Sequence, residues 1–154
     1  MEKIKLLCIG QCKDKTIDTL SKDYLKRINT FLPFNLVELK DKKGKRASSE
    51  EPFVVDQMLK HIQSRDFLVL LDSEGEMMSS TVFSKWVSDY FLHNRNPLVF
   101  VIGGASGIPS VLYQRCQLKL SFSRMTFPHE LFRLMFLEQM YRSFTIIHHF
   151  PYHK

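Results

Sequence analysis

Apolar residues along the 154-residue chain follow two alternating rhythms. Lys3–Ile9 alternates and then runs apolar, the pattern of a strand, and Gly10 ends it. Ile17, Leu20, Tyr24, Ile28 and Phe31 recur every three or four residues, one face of a helix that Pro33 stops. Phe34–Leu39 reads as a second strand, and Lys40–Ser49 (KDKKGKRASS) as a loop. Val55, Met58, Leu59 and Ile62 place a helix within Glu50–Ser64. FLVLL at Phe67–Leu71 and LVFVI at Leu98–Ile102 are continuous apolar runs, expected of strands buried on both faces. Asp72–Gly75 predicts a turn after the first run. Ser79 or Ser80 can then cap a helix that turns Val82, Phe83, Trp86, Val87 and Tyr90 inward. A short helix over about Ser110–Gln114, a strand at Leu118–Phe122 and a long helix from Pro128 to about Phe144 complete the series. Strands alternating with helices predict an α/β fold, a mainly parallel sheet flanked by helices, in one domain over residues 1–154.

Composition narrows the setting. Hydrophobic residues make up 44% and charged residues 25% of the chain, which suits a packed core and excludes a disordered one. No apolar run approaches the roughly 20 residues of a spanning helix. The apolar stretch of MEKIKLLCIG is too short for a signal peptide, so a cytoplasmic protein is expected. Cys8, Cys12 and Cys116 are odd in number and form neither a disulfide framework nor a metal-site spacing. A net charge of +6 favours an anionic partner, with nucleic acid first.

Three segments follow the carboxyl ends of apolar strands: Asp72–Gly75, Gly103–Gly107 (GGASG) and Ser123–Phe127. Open α/β sheets bind ligands at that edge. The glycines allow close approach of a backbone to a ligand, although a tight strand-to-helix turn would use them too. GGASG is neither a Walker loop nor a G-x-G-x-x-G fingerprint. In LSFSRMTFP, small hydroxyl residues sit in a bend, and Phe127 before Pro128 is pushed out of the helical region. Such a bend offers backbone N–H and C=O groups between apolar walls, a way to read a planar base. The helix after Pro128 is apolar nearly all round, which predicts burial on every side and, in so small a domain, a second subunit against it. Glu138 and Arg142 are four apart and can pair. Lys40, Lys42, Lys43, Lys45 and Arg46 crowd one loop with only Asp41 opposing them, a candidate phosphate-binding run. In the tail, Phe150, Pro151 and Tyr152 supply an apolar anchor, and Tyr152 suits an interface or a stacked base.

LLDSEGEMMSSTVFS, FVIGGASG, LSFSRMTFPHELFRLMFLEQMYRS and the terminal PYHK, taken together, resemble the ribosomal RNA large-subunit methyltransferase H family of the SPOUT superfamily, in order and spacing along nearly the whole chain. The resemblance implies a C-terminal trefoil knot, a homodimer, S-adenosylmethionine as cofactor and N3 methylation of a pseudouridine in large-subunit (23S) ribosomal RNA. It carries cofactor contacts to Leu71, to Gly103 and to Phe122, Ser123, Arg124, Met125, Thr126 and Phe127, and sets the PYH ending beside the cofactor pocket. A valine at 103 is then expected to exclude the cofactor while leaving the fold intact. This chain departs from the family at Ala105-Ser106 in the glycine loop, at Arg124, and at Ser143-Phe144 after Tyr-Arg.

Methyl transfer from a sulfonium to a ring nitrogen has an activated, neutral leaving group and calls for no metal. The protein must align donor and acceptor, exclude water and help remove a proton. His129 and His153 are the candidates for proton handling or base contact, and Arg142 for stabilising the deprotonated base. Two rivals share some of these features: a non-catalytic RNA-binding module, which needs no glycine loop, and a nucleotide- or dinucleotide-binding enzyme using GGASG.

Overall fold

The computed structural model describes residues 3–41 and 48–154. Five strands form one all-parallel sheet among these residues: β1 (Ile4–Ile9), β2 (Phe34–Leu39), β3 (Phe67–Met77), β4 (Leu98–Ile102) and β5 (Leu118–Ser121), in the order β2-β1-β4-β3-β5. Five helices connect them: α1 (Lys15–Ile28), α2 (Pro52–Lys60), α3 (Ser80–His93), α4 (Ser110–Arg115) and α5 (His129–Ile147).

The period-2 geometry of the strands sorts the core into two layers. Ile4, Leu6 and Cys8 of β1 pack with Phe100 of β4 and with the inner faces of α1, α3 and α5. Leu7 and Ile9 point the other way, to Val99, Val101, α2 and α4. The two central runs are therefore apolar throughout, as FLVLL and LVFVI require. Helix ends follow local chemistry. The Asp14 carboxylate caps α1 by accepting from the Thr16 and Ile17 amides at 2.9 and 3.0 Å, and the Ser79 hydroxyl caps α3 by accepting from Val82 N–H at 3.2 Å.

Two elements differ from the sequence reading. Asp72–Gly75 is not a free turn after β3 but part of it: Leu71 and Glu76 both face Leu120 of β5, so the four residues between them bulge out of the ladder. Gly75 permits this, because a Cβ there would lie 2.6 Å from the Lys119 carbonyl carbon. The polar string Asp72–Glu76 hides such a strand from a search for alternation. Helix α5 runs to Ile147, beyond Phe144, and ends where His149 takes a left-handed φ of 58° and Phe150 N–H reaches back to the Thr145 carbonyl at 2.8 Å. Within one chain α5 is covered on only part of its surface. Phe136, Leu137, Met140 and Phe144 are in the core, whereas Leu131 is 38% exposed and Leu134 and Met135 are only partly covered. No described helix is long and apolar enough to cross a membrane.

Candidate active site

A cleft of about 360 Å3 opens at the carboxyl edge of the sheet, over β4, β3 and β5. That is within the usual range of small-molecule pockets, roughly 300–1,000 Å3. Parallel strands bring three segments to it: Leu71 and Asp72 from β3, the Gly103–Gly107 loop after β4, and the loop after β5. Of the residues carried over by family resemblance, Leu71, Gly103, Phe122, Ser123, Met125, Thr126 and Phe127 all line the cleft. Arg124 does not. Its guanidinium donates to the Ser73 carbonyl and lies 3.8 Å from exposed Glu74, strapping the β5 loop to the β3 bulge across the rim. Ion pairs so exposed contribute little energy, so the strap is mainly geometric.

Aromatic packing stiffens the back wall. Phe122 meets Phe132 edge-on at 5.3 Å, Phe136 in a stack at 5.9 Å and Phe83 at 6.3 Å. Pairs of this kind contribute ~0.5–1.5 kcal/mol each beyond area burial. The adjoining loop makes little internal use of its polar backbone. Met125 N–H donates to Ser123 Oγ at 3.0 Å, and the Ser123 carbonyl accepts from Ser121 Oγ at 3.1 Å. Ser123, Met125, Thr126 and Phe127 of this loop all line the cleft.

Two lining residues, Asp72 and Tyr113, were not singled out from sequence. The Asp72 carboxylate accepts from Tyr113 Oη at 2.7 Å and from Glu74 N–H at 2.9 Å. Burial pushes the carboxyl up, but these two bonds, with Lys119 and Arg124 nearby, outweigh it and hold Asp72 below its ordinary range. Burial and the same bond push the Tyr113 hydroxyl well up, so it stays a donor. Asp72 was findable as the first polar residue after FLVLL. Tyr113 had no local signal, since only the fold of α4 returns it over the edge.

His129, the first residue of α5, also lines the cleft. Arg142 and His153 do not. Arg142 is four turns further along α5, bonded to Glu138 Oε1 at 2.6 and 3.0 Å and to His153 Nδ1 at 3.1 Å, with its guanidinium 4.8 Å from the centre of the Tyr152 ring. The Glu138 bond is the main reason the Arg142 guanidinium holds its proton more firmly than usual. Tyr152 donates to Glu138 at 3.1 Å and meets Tyr141 edge-on at 4.9 Å, so the tail is anchored by its aromatic residues. Thirteen residues of helix put Arg142 about 20 Å from His129. One chain therefore gathers His129 and, apart from Arg124, the residues that the resemblance carried over for the cofactor, and leaves Arg142, Tyr152 and His153 together elsewhere. Lys40 is exposed at the end of β2, and Lys42, Lys43, Lys45 and Arg46 lie outside the described residues. No group of three or more His, Cys, Asp or Glu side chains among the described residues could hold a metal ion.

This sheet order, with a backbone-lined cleft at its carboxyl edge, belongs to a class that family comparison identifies. The chain is a member of the SPOUT methyltransferase family, whose model, described as "Predicted SPOUT methyltransferase", matches residues 2–153. Similar proteins include the ribosomal RNA large subunit methyltransferase H of Clostridium kluyveri, 39% identical over 157 residues covering 98% of this chain and 99% of that protein. The protein of the same name from Streptococcus pneumoniae strain CGSP14 is 39% identical over 158 residues, 99% of each chain. Among solved structures, a probable methylase family protein from Haemophilus influenzae Rd KW20 superposes with a TM-score of 0.57 at 10% identity, over 99% of this chain and 71% of that one, a likeness of fold.

Proposed function

We propose that this chain methylates ribosomal RNA, transferring the methyl group of S-adenosylmethionine to N3 of a pseudouridine in the large subunit, and that it does so in the cytoplasm as a single-domain, knotted homodimer. The observation that carries the cofactor reading is the cleft itself. Its walls combine apolar side chains with backbone, suited to adenine, and the Asp72 carboxylate among them can accept from hydroxyl or ammonium donors. The relatives' shared name and the basic charge support RNA as the acceptor.

When bound, the cofactor supplies a methyl group on a positively charged sulfur. The chain supplies alignment and exclusion of water: Phe122 and its aromatic neighbours fix one wall, and the Gly103–Gly107 loop closes against the other. Transfer to the ring nitrogen would also require the N3 proton of the base to leave. His129, which lines the cleft, is this chain's candidate to take it or to hold the base. Arg142, Tyr152 and His153 reach a cleft only in a dimer, with one subunit's tail at its partner's site. The partly covered outer face of α5 supports such an interface.

Calorimetry with S-adenosylmethionine, ATP and NAD, followed by mass spectrometry of ribosomal RNA from a deletion strain, tests the reading. Binding of the first alone is expected, with one methyl mass lost from a pseudouridine and restored by complementation. Binding of ATP or NAD instead, or unchanged RNA in the deletion strain, would overturn it.

A further inference from the structure

The cofactor cleft occupies the carboxyl ends of β3, β4 and β5. A second cleft, of about 400 Å3, continues the same edge over β1 and β2. Gly10, Gln11 and Lys13 of the β1–α1 loop line it, with Lys40 and Asp41 after β2 and His129 and Glu130 from the first turn of α5. His129 lines both clefts, so they meet at the start of α5.

The β1–α1 loop is held in place with unusual thoroughness. Gly10 takes a φ of +96°, and its carbonyl accepts from Arg133 Nη2 at 2.9 Å. Cys12 N–H donates to Glu38 Oε2 at 2.9 Å, and Arg133 Nη1 lies 3.4 Å from that same oxygen. Lys13 and Asp14 N–H both point at Glu130, at 2.5 and 3.4 Å. Arg133 is 1% exposed, and its Nε and Nη1 have no hydrogen-bond partner among the described residues. A guanidinium so buried is costly for a small protein. It earns no core packing that an apolar residue would not give. What it does provide is a fixed loop. Across the cleft the Gln57 amide brackets Lys40, accepting from its N–H at 3.2 Å and donating to its carbonyl at 3.1 Å.

Both lysine backbones are thus immobilised, while both side chains are exposed and neither ammonium has an ion-pair partner among the described residues. The two carboxylates of the cleft are turned to other work. Glu130 accepts from the loop amides, and Asp41 Oδ2 lies against the glycine loop, 3.3 Å from where a Gly104 Cβ would be. Apart from His129, no lining residue offers an aromatic face on which a base could stack.

We propose that the second cleft receives the sugar–phosphate backbone of the RNA strand carrying the target base, with Lys13 and Lys40 on phosphate oxygens, and that Glu130 and Arg133 are positioning residues that preorganise it. This rests on RNA being the substrate, as read above. The strand then runs along the sheet edge, and the nucleotide beside His129 turns into the methyl-donor cleft.

The test is methylation of large subunits purified from the deletion strain, over a range of KCl, with cofactor affinity measured separately. Lys13→Ala/Lys40→Ala should raise KM for the subunit at least tenfold and flatten its log–log salt dependence by about 1–2, since each phosphate contact contributes ~0.7–0.9. Affinity for S-adenosylmethionine should stay within about twofold, because neither lysine lines that cleft. Glu130→Ala should raise KM in the same direction, and Glu130→Gln, which keeps an acceptor for Lys13 N–H, should restore most of it. An unchanged KM and salt slope in the double-lysine variant, or no difference between the two Glu130 variants, would overturn the proposal. A wild-type protein that binds cofactor but leaves these subunits unmethylated would instead overturn the RNA reading, a result visible before any variant is made.

Discussion

Replacing Gly103 by alanine tests how the glycine loop is built. A Cβ at 103 would lie 2.8 Å from the Gly107 carbonyl carbon, 2.9 Å from its oxygen and 2.9 Å from Ile108 Cγ1. Two of these neighbours are backbone, tied by the Gly107 N–H bond to the Gly104 carbonyl at 3.0 Å, so they cannot swing aside like a side-chain tip. Overpacking by a methyl group costs ~1–3 kcal/mol. In a chain of this size that lowers Tm by about 2–4 °C per kcal/mol, or roughly 2–12 °C. The loop must open to relieve the overlap, and its inner surface lines the cofactor cleft, so affinity for S-adenosylmethionine should fall at least tenfold, about 1.4 kcal/mol. The expectation from sequence, that a side chain at 103 excludes the cofactor and leaves the fold intact, is therefore revised: stability and affinity should fall together. Thermal unfolding by circular dichroism and titration calorimetry give the two readouts. Ile108→Ala removes one of the three contacts and should not rescue the variant. An unchanged Tm with weakened binding would refute the packing argument, and an unchanged affinity would remove Gly103 from the site.

Three further outcomes are expected. Burial pushes the Cys8 thiol up to about 12, while Cys12 and Cys116 are only partly buried, so a thiol reagent at pH 8 should label two cysteines in the native protein and the third only on unfolding; three fast-reacting thiols would contradict the packing of β1. Tyr113→Phe should raise the Asp72 pKa, followed by carboxyl NMR; because a depressed carboxylate stabilises the fold above its unfolded value of 3.8 and loses that contribution as pH falls through the lower native one, the variant should lose it at a higher pH than wild type. A chain truncated after His149 should bind cofactor and lose methyl transfer, and mixing it with Gly103→Val chains, expected to be inactive alone, should restore some activity if each tail serves its partner's cleft; sedimentation as a monomer, or full activity of the truncated chain, would refute this.

The elements were legible because each carries its own period. FLVLL and LVFVI, short apolar runs, read as strands buried on both faces, and the 3–4 spacing from Ile17 to Ile28 as a helix face. The cleft at the carboxyl edge was legible because parallel strands deliver their carboxyl ends to one edge, so a reader who finds the strands has found the loops that line it. The β3 bulge was not, since it depends on Gly75 passing the backbone of Lys119, 44 residues away in sequence. Tyr113 and Arg133 were missed for a similar reason. Arg133 looks like one more polar position on a helix, and only the packing of α5 against the ends of β1 and β2 reveals that it is buried and bonded to Gly10.

Helix α5 links these observations. Its first turn supplies His129 to both clefts and, through Glu130 and Arg133, braces the loop that carries Lys13. Its middle buries Phe136 and Met140 behind the wall that Phe122 presents. Its last turns carry Arg142, which Glu138 orients and the tail covers with Tyr152 and His153. Within one chain these polar groups hold the tail, about 20 Å from His129. A two-fold axis perpendicular to α5, through the face bearing Leu131, Leu134, Met135 and Glu138, would reverse a second copy against the first. It would cover the apolar half of that face and carry each Arg142 cluster toward the other chain's His129. In the proposed dimer, the roughly 20 Å of α5 between His129 and Arg142 is the separation such a pairing would span.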